Sequence, residues 1–273
     1  MKIILLICNI LLISPPVHAE SLFSEKLNSA NRIFDQKDYP KALDVLKKSH
    51  PLAKTEKDQV ILYNSIGWTY FNNGNNNEAI NYLEKALQGA IKINNTELAQ
   101  KTSNNLGIIY YSLGNIDKSK EYFTNSWSKN SETSKNYLSL IKEQEEANRM
   151  NSILSKGISY RLNTEFEKAI IEYEKVLSTS PDNIRALDYK GYALFRLGKY
   201  EEALVTLQKA NVIKPENTNT LINLMKTYCA LKKPDNAVLI IKNNKIFLEK
   251  NRDSIVADSE LISVCGESVI NNF

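Results

Sequence analysis

Whatever chemistry this chain performs, it has few of the usual groups to do it with. Its histidines are His18 and His50. The first lies in an N-terminal segment expected to be removed, and the second stands alone in "KKSHP", where a helix is expected to end before Pro51. General acid–base, nucleophilic and zinc chemistry therefore lack their commonest participant. The cysteines are Cys8, Cys229 and Cys265. Cys8 leaves with the N-terminal segment. An oxidising compartment permits a bridge between the other two, but cysteine is often simply buried, and the favoured reading is two unpaired, buried thiols. Glu143, Glu145 and Glu146 in "EQEE" are the densest acidic group. Three acids within four residues of a helix usually form a solvated face, and an enzyme built on them is the alternative from a different functional class. The expectation is no catalytic residue, no metal and no cofactor.

The N-terminus "MKIILLICNILLISPPVHAE" joins one lysine, Lys2, to an apolar run from Ile3 to Ile13, then Pro15-Pro16 and Val17-His18-Ala19. This is the pattern of a secretory signal peptide cut after Ala19. The run is about half of what spans a bilayer, so no membrane span is expected after cleavage. The formal charge of +4 falls by one with Lys2. So small an excess, with no aromatic–basic run, argues against a nucleic-acid partner.

Any binding surface must be positioned by the elements that the glycines mark. Gly67, Gly107, Gly157 and Gly191 each sit inside a helical pattern, although glycine there costs about 1 kcal/mol relative to alanine. Tyrosine follows three residues later at Tyr70, Tyr110 and Tyr160. Seven residues after the first, second and fourth comes Gly74, Gly114 or Gly198. Twelve residues on lies a small residue (Ala79, Ser119, Ala169, Ala203), and four later an apolar or aromatic one (Leu83, Phe123, Tyr173, Leu207). Each unit reads as two antiparallel helices that approach through small residues. "NNGNNN" around Gly74 is the turn between them, with Gly74 at positive φ and asparagine capping the second helix.

This register resembles the tetratricopeptide repeat, whose pattern runs small–aromatic–turn–Ala–aromatic and often ends in proline. "ALDYKGYALFRLGKYEEALVTLQKANVIKPEN" carries Gly191, Gly198, Tyr200, Ala203, Leu207, Ala210 and Pro215 in phase, 34 residues after the unit of Gly157. Met225, Tyr228 and Ala237 mark a sixth unit, and Ala30, Tyr39, Ala42 and Leu46 a divergent first. The resemblance covers about 23–250 and implies an all-α solenoid, a right-handed superhelix of about six units. The expected organisation is signal peptide 1–19, N-terminal repeats 20–130, a spacer helix 131–149 that a hinge or docking role would also fit, C-terminal repeats 150–250, and one capping helix or tail 251–273.

In such repeats the first helix of each unit lines the concave side. The resemblance places partner-binding residues three before, one after and four after the small position: Asn64, Trp68 and Phe71; Asn104, Ile108 and Tyr111; Ile158 and Arg161; Asp188, Tyr192 and Phe195; and Lys226. Lys101 and Arg185 lie one turn earlier. Aromatics supply buried area and asparagine amides can pair with an extended backbone, so a peptide or protein partner is expected. The alternative is that Trp68, Phe71 and Phe195 pack against the next unit or under the C-terminal segment. Some relatives grip a partner's C-terminal carboxylate with lysine, asparagine and arginine. Here those positions hold Leu27 and Asn31, then Ser65, then Lys101 and Asn105, which lacks the first lysine and the arginine. The expected function is a non-enzymatic, exported adaptor, periplasmic and serving envelope assembly, secretion or cell-wall enzyme complexes. A protein released to engage a host or competitor is the alternative.

Overall fold

A computed structural model describes residues 22–272, the side chain of Ser254 excepted. The expected signal peptide, with Cys8 and His18, lies outside the described residues. Those residues form α1 (Leu22–Asp35), α2 (Tyr39–Lys48), a short 3-10 turn (His50–Leu52), α3 (Glu56–Asn72), α4 (Asn76–Lys92), α5 (Thr96–Ser112), α6 (Ile116–Thr124), α7 (Glu132–Leu162) and α8 (Phe166–Thr179). There follow α9 (Ile184–Arg196), α10 (Tyr200–Ile213), α11 (Thr218–Ala230), α12 (Pro234–Asn243), and the short α13 (Lys245–Glu249), α14 (Arg252–Val256), α15 (Ser259–Cys265) and α16 (Glu267–Ile270). The chain divides into two compact units, Met1–Glu143 and Gln144–Phe273.

Close approach within a hairpin depends on the small residues. A methyl added to Gly107 would sit 2.6 Å from Phe123 Cε1, and one on Gly157 would sit 2.5 Å from Tyr173 Cε1. Both rings are fully buried. They occupy the space that the missing side chains leave, which explains why glycine is kept in a helix that it weakens.

Six left-handed residues close the six hairpins: Lys37, Gly74, Gly114, Thr164, Gly198 and Lys232, with φ between 60° and 81°. Three are not glycine, so the turn geometry is kept where the sequence signal is lost. Asparagine begins many of the helices. Asn95, Asn115, Asn183 and Asn217 each accept a backbone N–H three residues on. Asn75 does not cap α4 in this way; its oxygen accepts from Asn73 Nδ2 at 2.9 Å. Thr55 and Asp58 form a reciprocal capping box at the start of α3, which satisfies two otherwise orphaned donors.

Two expectations about the elements need correction. The spacer at 131–149 is not separate, because α7 runs unbroken for 31 residues into the first helix of the fourth hairpin. The tail is not one capping helix. From Lys245, ahead of the expected boundary at 251, the end of the chain breaks into four helices of five, five, seven and four residues, with Asp258 capping α15 and Gly266 at φ 72° ending it. Leu248, Ile255, Leu261 and Val269 from these pieces join Leu221, Met225 and Ile241 in one core.

The cysteines also depart from expectation. Cys229 and Cys265 are bridged, S–S 2.09 Å, rather than two thiols. The tail folds back on α11 and brings together two residues 36 positions apart, a juxtaposition that spacing in the sequence does not encode. No described helix is long and apolar enough to cross a membrane.

Candidate functional site

In the N-terminal unit, α1, α3 and α5 each present residues to one cleft of about 230 Å³ lined by Asn31, Phe34, Asp35, Asn64, Ser65, Trp68, Thr69, Lys101 and Asn105. Asn64 is almost covered, and its Oδ1 accepts from Thr102 Oγ1 at 3.2 Å and Asn105 Nδ2 at 3.0 Å. With that oxygen engaged, the Asn64 Nδ2 donors and the Asn105 oxygen are the ends that could meet a peptide. Trp68 is half-buried, its ring 5.4 Å from that of Phe71. Lys101 is exposed. Four positions of the reduced carboxylate grip, Asn31, Ser65, Lys101 and Asn105, thus share this cleft.

The next positions along α5 are otherwise engaged. Asn104 Oδ1 accepts from Ser131 Oγ and Ser134 Oγ, both at 3.0 Å, so this amide fastens the start of α7. Tyr111 meets the edge of Tyr137 at 5.2 Å. Both were expected to face a partner, and both instead hold the segment entering α7. Ile108 is half-buried.

The C-terminal unit has its own cavity, about 450 Å³, lined by Arg161, Asp188, Tyr189, Tyr192, Asn219, Ile222, Asn223, Lys226, Asp258 and Glu260. The guanidinium of Arg161 lies 5.5 Å from both the Tyr189 and Tyr192 rings, within cation–π reach. Its Nε is buried without a hydrogen-bond partner among the described residues. Asp188 is buried and accepts from Asn223 Nδ2 at 3.2 Å. Burial pushes its carboxyl above the usual aspartate range, against the opposing hydrogen bond from Asn223 and the attraction of Arg161. Arg185 is exposed, 3.5 Å from Asn151 Oδ1. Ile158 is half-buried.

Two further expected partner-facing residues, Lys226 and Phe195, are like Asn64 and Asp188 not open surface. Lys226 is 4% exposed, with Nζ 2.8 Å from Asp258 Oδ2 and 2.9 Å from Glu260 Oε2. Arg196 Nε reaches Glu260 Oε1 at 3.5 Å. Burial raises the Asp258 carboxyl, but donation from Lys226 and from the Leu261 backbone outweighs this and leaves it below its usual range. Phe195 is buried with Leu194 and Ala203, and Val264 of the tail packs against that cluster. The inward positions Phe195 and Lys226 are therefore covered by the chain itself, while Tyr192 and Ile222 line the cavity. Sequence spacing identified these positions and offered the C-terminal segment as one cover for Phe195, but carried no signal for what covers Lys226. It also missed Asn219, Asn223, Asp258 and Glu260, for which the one available hint was an acidic pair, "DSE", near the end.

Glu143, Glu145 and Glu146 are exposed on α7, and Glu143 Oε1 accepts from Ser139 Oγ at 3.3 Å. His50 is exposed, its Nε2 3.3 Å from the Tyr63 hydroxyl. Neither adjoins the two cavities described above.

Comparison with known proteins agrees with this architecture. A family model described as tetratricopeptide repeat matches residues 60–88 and 100–126. A second, the N-terminal repeat region of Psidin, matches residues 158–256. Among solved structures, the TPR2AB domain of yeast Sti1 in complex with pHSP90 superposes with a TM-score of 0.51 at 15% identity, covering 93% of this chain and 99% of that one. The TPR domain of P58(IPK) aligns over 91% of this chain and 65% of its own at 19% identity, with a TM-score of 0.38. No curated protein matches.

Proposed function

Because this chain is a tetratricopeptide repeat protein, we propose that it is a non-catalytic scaffold whose N-terminal inner face holds an extended segment of a partner protein. The observation that carries this reading is the convergence of Trp68, Lys101 and the linked Asn64–Asn105 amides on one open cleft. An indole supplies apolar area at low entropic cost, and fixed amides match the alternating N–H and C=O groups of an unpaired backbone. With Leu27 and Asn105 where a carboxylate grip needs lysine and arginine, the cleft lacks the charge to fix a chain terminus. It suits the middle of a peptide better than its end.

The setting we infer is outside the cytosol, in the periplasm, where the partner belongs to envelope assembly, secretion or a cell-wall enzyme complex. The N-terminal pattern of lysine, apolar run and Val-His-Ala supports export. The Cys229–Cys265 bridge is at home in an oxidising compartment.

Trp68→Ala with Lys101→Glu tests the site. Loss of about 2 kcal/mol at a central aromatic anchor lowers affinity roughly thirtyfold, so co-purification of the natural partner should fail while helical circular dichroism is unchanged. Glu84→Lys, on the exposed face of α4, should leave capture intact. Retained capture by the folded double variant would refute the site. Fractionation showing the protein in the cytosol would refute the setting.

A further inference from the structure

The tail does not merely close the end of the helix array. A terminal cap need touch only α11 and α12, but α15 reaches back to α9 through the Arg196–Glu260 pair and the contact of Val264 with the Leu194–Phe195 cluster. It does so on inward positions, which in this architecture form the binding face. Its contacts have the composition of a ligand. Asp258 and Glu260 meet the Lys226 ammonium, Leu261 is fully buried, and Cys265 is bonded to Cys229. A helix of seven residues is too short to persist on its own. Its order comes from the surface beneath it and from the covalent tether.

We propose that the inner face of α9 and α11 is a binding site for a partner helix with one acid at its N-cap and another in its first turn, followed by aliphatic residues, and that residues 258–265 occupy it as a tethered internal ligand. The acids answer Lys226 and Arg196, and the aliphatics cover the apolar strip beyond them. While the bridge is closed, the tail's effective concentration excludes competitors. Two-electron reduction by a dithiol, which ends as its own disulfide, leaves two thiols; the tail is then held by its backbone linker and non-covalent contacts alone, at a lower effective concentration that a competitor in excess can exceed. The site extends the peptide-binding reading to a second face without depending on the N-terminal cleft, since probe and readout both lie within residues 184–265.

The test uses a fluorescein-labelled peptide of residues 257–265 with serine for Cys265, titrated by anisotropy against the full chain. The oxidised wild type should not bind. The Cys229→Ser/Cys265→Ser chain should bind at least tenfold more tightly, and a peptide carrying Asp258→Asn and Glu260→Gln should lose at least tenfold. Absence of binding to the folded double-serine chain would overturn the proposal, as would equal binding by the neutral peptide. If the serine pair reduces helicity, wild type in dithiothreitol replaces it, with amide exchange as readout. Faster exchange at 259–265 with α9 and α11 still protected supports an exchangeable ligand. Loss of protection in all three together makes the tail a structural part of the unit and overturns the proposal.

Discussion

On the inner face of the N-terminal unit the polar groups are mostly uncharged amides and hydroxyls bonded to one another. On the inner face of the C-terminal unit they include ions paired to the chain's own tail. Trp68 and Lys226 hold the same register position, one residue after the small site, yet Trp68 borders an open cleft and Lys226 is covered. Register decides which way a side chain points. What covers it depends on the following chain: α7 begins after α6 and takes up Asn104 and Tyr111, whereas after α12 the tail returns across α11.

The largest effect that would sharpen this contrast is removal of the bridge. Closing a loop of this length restricts the unfolded chain by about 3–4 kcal/mol in the chain-entropy model. Cys229→Ser/Cys265→Ser should lower stability by that order in urea titrations. Amide exchange should quicken most in α15, with α9 and α11 still protected, and stay unchanged in α3–α5. Equal loss in both regions would erase the distinction.

Next is Asn104→Ala, which removes two hydroxyl donations and should cost about 1–2 kcal/mol, with faster exchange at 131–137 and none in the tail. Thr164→Gly should stabilise by about 1 kcal/mol, because a β-branched residue at φ 60° is strained where Gly74 and Gly114 are not; an unchanged midpoint would mean that the strain is relieved elsewhere.

The smallest effect concerns charge. Asp188, raised by burial, destabilises the folded state at neutral pH, and that cost disappears as pH falls through its raised pKa. Asp188→Asn should therefore stabilise at pH 7, with the gain lost on acidification. Asp258 has the opposite sign. Its depressed pKa contributes stability above the ordinary aspartate range, lost as pH falls below it. Asp258→Asn should destabilise at pH 7 and become neutral in acid.

The hairpins were legible because sterics impose them locally. Gly107 must face Phe123 and Gly157 must face Tyr173, and both members of each pair lie within one hairpin. The turns at Lys37, Thr164 and Lys232 were not legible as left-handed, since no residue type there announces it. The inward positions could be enumerated from the register, and the cleft around Trp68 and Lys101 follows from them. The bridge, the burial of Lys226 and the four-piece tail could not be read. Each depends on where a segment without repeat phase comes to rest, which contacts between distant residues decide.

Position-resolved crosslinking tests the proposed binding faces most directly. A photoreactive benzophenone side chain would be placed in turn at Trp68, Lys85 and Ile222 of the oxidised chain in its producing cells. A partner adduct at position 68, none at 85, and one at 222 only after the bridge is reduced is the expected result. Adducts at position 85 alone, or equal capture at 222 with the bridge closed, would contradict it.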